Sequence, residues 1–123
     1  ITIVPQDVGR VILNLITNAF HAVIEKNNIE KIKENSTFKP TIWVTTKRIK
    51  NTVHVYIRDN GNGVPDKVKD KIFQPFFTTK PSGQGTGLGL SLSYDIIKTH
   101  GGELLLETKQ GQGTTFTITL PEV

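Results

Sequence analysis

Asp59-Asn60-Gly61-Asn62-Gly63 closes one alternating apolar run, and Gly85-Thr86-Gly87-Leu88-Gly89-Leu90 opens a helical one further along the chain. The first stretch places a carboxylate on a glycine-rich bend. A flat ligand can approach the backbone closely there and be read by hydrogen bonding. The second brings backbone N–H groups, and the partial positive charge of a helix N-terminus, to where phosphate oxygens would sit. Upstream, Asn14-Leu15-Ile16-Thr17-Asn18 sets two carboxamides one helical turn apart, on one helix face. Each piece alone has a plainer reading. Asp59 can be a turn former, Asn14 and Asn18 ordinary polar-face residues, and the glycines a connection.

Working outward, Val53 to Asp59 alternates Val53, Val55 and Ile57 with His54, Tyr56 and Arg58. Thr41 to Lys50 alternates in the same way, and Asn51-Thr52 joins the two strands. Before them, Val8, Val11, Ile12, Leu15, Ile16, Ala19, Phe20 and Val23 recur at helical spacing up to Glu25. Arg10, Asn14, Asn18 and His21 fall on the neighbouring stripe, with Pro5 marking the start of the helix and Asp7 its cap. Ile1 to Val4 is a short β-branched run. Lys26 to Pro40 is polar and lysine-rich, a loop or a frayed helix end. Asp66 caps a short helix ending near Phe73, and Gln74 to Gln84, with Pro75, Pro81 and Gly83, is a loop. Leu88 to His100 reads as a helix that His100 caps and Gly101-Gly102 stops. Glu103 to Thr108 and Thr114 to Leu120 are strands around Gly111-Gln112-Gly113. The order is helix, two strands, helix, two strands. That order predicts an α/β (α+β) chain with a mixed, mainly antiparallel sheet covered on one face by helices.

A chain of 123 residues makes one domain with a real core. The absence of cysteine excludes a disulfide framework and a cysteine-ligated zinc site. No apolar run is long enough to span a membrane, so no direct membrane contact is expected. A net charge of +4 suits an anionic ligand, but no aromatic residues interleave with a basic stripe, and nucleic acid is not an expected partner. Without a starting Met, the sequence reads as a piece of a longer protein.

In this order the motifs resemble the catalytic, ATP-binding domain of bacterial two-component sensor histidine kinases. That group shares a superfamily with the ATPase component of gyrase, the heat-shock chaperones and MutL. The asparagine box matches Asn14 to Ala19, and the first glycine box matches Asp59 to Val64. The phenylalanine box matches Phe73 to Lys80, and the second glycine box matches Gly85 to Leu90. Gly111 to Phe116 fits the last strand. The resemblance covers nearly the whole chain. It implies a two-layer sandwich with a Bergerat-type ATP site under a lid.

The resemblance also implies roles. Asp59 would accept from the exocyclic amine of adenine. Asn18 would be the principal Mg²⁺ ligand, with Asn14 a second candidate beside the phosphates. Gly61, Gly63, Val64, Phe76, Phe77, Gly85, Thr86, Gly87, Leu88, Gly89, Leu90 and Thr114 would line the ATP site. The stretch from Val64 to Thr86 would be the lid. His21 stands where many of these kinases have lysine, and Lys80 can supply a phosphate-facing cation instead. Asn14 and Lys80 are the candidate catalytic residues. Gyrase-like hydrolases carry glutamate at the position of Asn14; an amide cannot serve as a base for water.

The histidines His21, His54 and His100 lack the acidic neighbour of a phosphoacceptor, so the acceptor is expected on a separate helical dimerisation domain of the same protein. A response regulator receiver domain, a homodimeric parent and a cytoplasmic location, with or without a membrane anchor on the parent, complete the expectation. The isolated chain should not autophosphorylate. The rival readings are an anti-sigma-type serine/threonine kinase and an ATP-gated assembly module. The resemblance gives no role to Asn27 to Pro40, a connection longer than usual.

Overall fold

The computed structural model describes residues 5–33, 35–74 and 89–121. The chain runs α1 (Pro5–Glu30), β1 (Ile42–Ile49), β2 (Thr52–Asp59), α2 (Asp66–Lys69), α3 (Gly89–Thr99), β3 (Glu103–Lys109) and β4 (Gly113–Pro121). The strands form one antiparallel sheet in the order β1-β2-β4-β3. α1 and α3 pack on one face of it, as the alternation of hairpins with helices predicts. The run Ile1 to Val4 lies outside the described residues.

Most of the apolar stripe of α1 does what its spacing requires, but Phe20, expected on it, is 54% exposed. Val8, Val11, Leu15, Ala19 and Val23 are buried against the sheet. The helix continues beyond Glu25 to Glu30 and then tightens, as Lys33 N–H donates to the Glu30 carbonyl at 2.9 Å. The polar composition of 26–30 hides this continuation, because no apolar period marks it. α3 buries Ser91, Ser93 and Ile97. Its small serines let it lie close to α1. It ends on Gly101 at φ 78°, with Gly102 N–H reaching the Ile97 carbonyl at 2.9 Å, a closure that needs the left-handed residue. The His100 ring nitrogen Nδ1 lies 2.7 Å from the Ile96 carbonyl, so His100 does cap this end. Neither aspartate caps a helix: Asp7 lies inside α1, and Asp66 is the first residue of a short helix that has Pro65 as its N-cap, ends at Lys69 and gives way to turns before Phe73.

The register lines up the core. Leu104, Ile118 and Val55 form one cross-strand row, and Leu106, Phe116 and Ile57 the next. The row after that is Thr108, Thr114 and Asp59. Asp59 thus occupies the core-facing position that follows Val53, Val55 and Ile57. Among the described residues, the opposite face of the sheet carries neither α1 nor α3. There Arg58 stacks on Trp43 (4.6 Å) and Lys47 on Tyr56 (5.9 Å).

Candidate functional site

The alternation of β2 points Asp59 inward, where an apolar residue would otherwise stand, and it is 4% exposed. Burial pushes its pKa up. The Gly61 and Thr114 backbone N–H groups and the charge of Lys26 act against that shift. Gly61 N–H donates to Asp59 Oδ1 at 2.8 Å. A carboxylate has lone pairs for more than these two backbone donors, so it can still accept from a ligand amine.

The bend after Asp59 is built by close approach. A Cβ on Gly61 would stand 2.8 Å from the Cβ of Ala22 on α1, so glycine alone lets the loop lie on the helix. Gly63 has φ 73°, and a Cβ there would run into the Lys109 carbonyl. The Val64 N–H donates to Thr108 Oγ1 at 2.8 Å. Thr108 Oγ1 lies 2.9 Å from Thr114 Oγ1 and 3.1 Å from the Gly113 carbonyl. If Thr114 donates to Thr108 and Thr108 to Gly113, every hydroxyl proton is used and Thr114 keeps acceptor lone pairs.

At the other end of the site, Asn14 joins α1 to the first turn of α3. Its Nδ2 donates to the Gly89 carbonyl (2.8 Å) and to Ser93 Oγ (3.2 Å). Both amide protons are spent, which leaves the Oδ1 oxygen as the group it can offer an incoming ligand. A Cβ on Gly89 would come within 2.9 Å of Asn14 Nδ2, so a larger residue there would displace the Asn14 amide. Asn18, one turn on, is half-buried and itself engaged. His21 is exposed on α1, and Leu90 packs against the core.

The structure therefore brings Asn14 and Gly89 together at one end, and Asp59, Gly61, Gly63, Val64 and Thr114 at the other, with Asn18 between them along α1. Phe76, Phe77, Lys80, Gly85, Thr86, Gly87 and Leu88 lie outside the described residues. Sequence reasoning missed Ser93, Thr108 and Lys26. Ser93 and Thr108 act only through cross-element hydrogen bonds, which no local pattern announces. Among the described residues, no cluster of three His, Asp or Glu side chains could hold a metal ion. Carboxamide oxygens beside a phosphate-bearing ligand fit Mg²⁺, a hard ion that keeps several waters and needs few protein ligands.

A family model described as histidine kinase-, DNA gyrase B- and HSP90-like ATPase matches residues 3–123. The chain belongs to this ATPase family. Within the family it is similar to sensor kinases. It is 39% identical to the sensor kinase CckA of Brucella abortus over 98% of its own length and 13% of that protein. It is 37% identical to the sensor histidine kinase ZraS of Salmonella typhimurium, over 97% of its length and 23% of that protein. The solved catalytic domain of the histidine kinase ThkA matches with a TM-score of 0.75 at 34% identity, over 98% of this chain and 69% of that one. No described helix is long and apolar enough to cross a membrane.

Proposed function

We propose that residues 1–123 form the single ATP-binding catalytic domain of a longer sensor histidine kinase. In this reading the chain binds Mg·ATP and donates the γ-phosphate to a histidine on a separate dimerisation helix. The phosphoryl group then passes to an aspartate of a response regulator. The parent is a homodimer, and this domain works in the cytoplasm. The observation that carries the reading is Asp59, a buried carboxylate at the end of a core strand, held by two backbone N–H groups and facing α1. Burying such a group works against stability, and buried groups with shifted pKa values cluster at functional sites.

The roles are those the resemblance implies, and the geometry supports them. Asp59 accepts from the adenine amine, with Gly61 and Gly63 allowing the base to approach. Thr114, through its spare lone pairs, completes that edge. Asn14 and Asn18 present amide oxygens to the metal–phosphate end. Mg²⁺, when bound, neutralises phosphate charge. Asn14 cannot activate water, so it favours transfer to a protein acceptor over hydrolysis. Its hold on Gly89 also sets where α3 begins beneath the phosphates. His21, Lys80 and the remaining glycine-box residues take the parts the resemblance implies. Phosphoryl transfer asks chiefly for positioning and charge stabilisation, and both can come from this set.

The test uses the 123-residue chain and γ-labelled ATP. Alone, the chain should bind Mg·ATP, turn it over very slowly and accumulate no acid-labile phosphohistidine, because the second reactant is missing. Adding the parent's helical hairpin should produce labelling on that hairpin. Stoichiometric acid-labile labelling of the chain by itself, or rapid steady hydrolysis, overturns the reading.

A further inference from the structure

The polar segment after the asparagine helix, to which the sequence gives no role, is anchored at the base-reading end of the site. Asn60, next to Asp59, holds it from both sides of its amide. Asn60 Nδ2 donates to the Lys39 carbonyl at 2.8 Å, and Asn60 Oδ1 accepts from Thr41 N–H at 2.9 Å. This places Phe38 beside Lys26, whose ammonium lies 4.9 Å from the ring centroid. The same ammonium donates to the Gly111 carbonyl in the β3–β4 turn at 3.0 Å. The N–H of Gly111 in turn donates to the Asn62 carbonyl at 2.6 Å, inside the glycine-rich bend. A continuous path therefore runs from α1 through Lys26 and Gly111 to the loop that follows Asp59.

We propose that Lys26 is a positioning residue of the nucleotide site, bracing the Asp59–Val64 loop from α1 with Phe38 of the α1–β1 connection as its seat. The inference rests on the reading of Asp59 as the base-recognising group and deepens it. Lys26 has two separable actions. One is the tether to Gly111, which fixes the bend against the helix. The other is charge. The charged residues next along the strands, Arg58 on β2 and Glu107 and Lys109 on β3, alternate to the open face of the sheet, whereas Lys26 reaches Asp59 from α1. Of these, Lys26 is the side-chain charge that favours the ionised carboxylate against burial. Only the ionised form offers both oxygens as acceptors.

The sign of the pH effect follows. ATP binding that needs ionised Asp59 falls as pH drops through the Asp59 pKa. Removing the Lys26 charge raises that pKa, so the fall moves to higher pH. Calorimetric titration of the 123-residue chain with Mg·ATP across pH reads both actions. Lys26→Met, which removes tether and charge, should weaken ATP binding roughly tenfold at neutral pH. Lys26→Gln keeps a donor for Gly111, so it guards against a misfolded Met variant, and should still move the acid limb upward. Lys26→Arg should restore the parental profile. Parental affinity and pH profile in both Lys26→Met and Lys26→Gln, beside an Asp59→Asn chain that binds poorly, overturn the inference alone. A loss in Lys26→Met with an unmoved acid limb and no rescue by arginine also overturns it, because that pattern is purely structural. Parental ATP binding by Asp59→Asn overturns the underlying reading and the inference with it.

Discussion

Val44 of β1 and Ile57 of β2 are partners in register, side by side on the same face of the sheet, yet Val44 is 52% exposed and Ile57 1%. The two strands have the same length and alternate in the same way. They differ in what lies over them. α1 and α3 cover β2, β4 and β3, while β1 hangs beyond the helical layer and is exposed along both faces from Trp43 to Ile49. Alternation decides which way a side chain points; the edge of the helical layer decides whether the side it points to is dry. The same difference reaches the site. Asp59 is buried because it ends the covered strand. Its neighbour in the row, Ile42, sits where that cover runs out.

The sharpest way to break this comparison is to truncate Ile57. Ile57→Ala should cost about 2–5 kcal/mol of stability, because it opens a cavity under both helices. Denaturant unfolding would read it, and a loss near zero would mean the two strands are alike after all. Next comes the close contact that ties the glycine bend to α1. Gly61→Ala puts a Cβ 2.8 Å from Ala22. It should cost about 1–3 kcal/mol by overpacking and weaken nucleotide binding with it. Ala22→Gly in the same chain should recover part of both, which checks that the clash is the cause.

Asp59→Asn separates binding from folding at the end of the covered strand. Its ATP affinity should fall about tenfold or more, since an amide presents a donor where the adenine amine needs an acceptor. Parental Asp59 should also prefer ATP over GTP by a similar factor, and equal affinities for the two bases in calorimetry would remove the assignment. The effect on stability is smaller and opposite. The folded pKa of Asp59 is raised, so the stability its protonated form supplies is fully present below the ordinary aspartate value. It is lost as pH rises through the folded value. At neutral pH the buried charge is a cost, and Asp59→Asn should raise the thermal midpoint; a lower midpoint would show that the backbone donors outweigh burial. The smallest effect belongs to the uncovered strand. Val44→Ala should change stability by less than about 0.5 kcal/mol. A loss matching that of Ile57→Ala would show that something covers β1 in solution.

Much of this is legible in the sequence. The spacing of Val8, Val11, Leu15, Ala19 and Val23 specified a helix and its buried face. The alternation from Val53 to Ile57 specified a strand. Gly101 specified where α3 stops. These are local properties, fixed by the periods of helix and strand and by the few residues that tolerate a left-handed backbone. The extension of α1 to Glu30 was not legible, because its last turn carries no apolar period.

Tertiary structure alone decided the rest. That β4 lies between β2 and β3 determines that Thr114 and Thr108 share a row with Asp59. That α3 lies against α1 determines that the amide protons of Asn14 are spent on Gly89 and Ser93, in residues far along the chain. That the segment after α1 folds back onto Asn60 brings Phe38 beside Lys26, and that the β3–β4 turn lies beside α1 lets Lys26 meet Gly111. Sequence determines what each element is, because the periods are short-range. Which elements meet, and so which polar groups find partners, depends on how the layers cover one another, and no window of neighbouring residues contains that information.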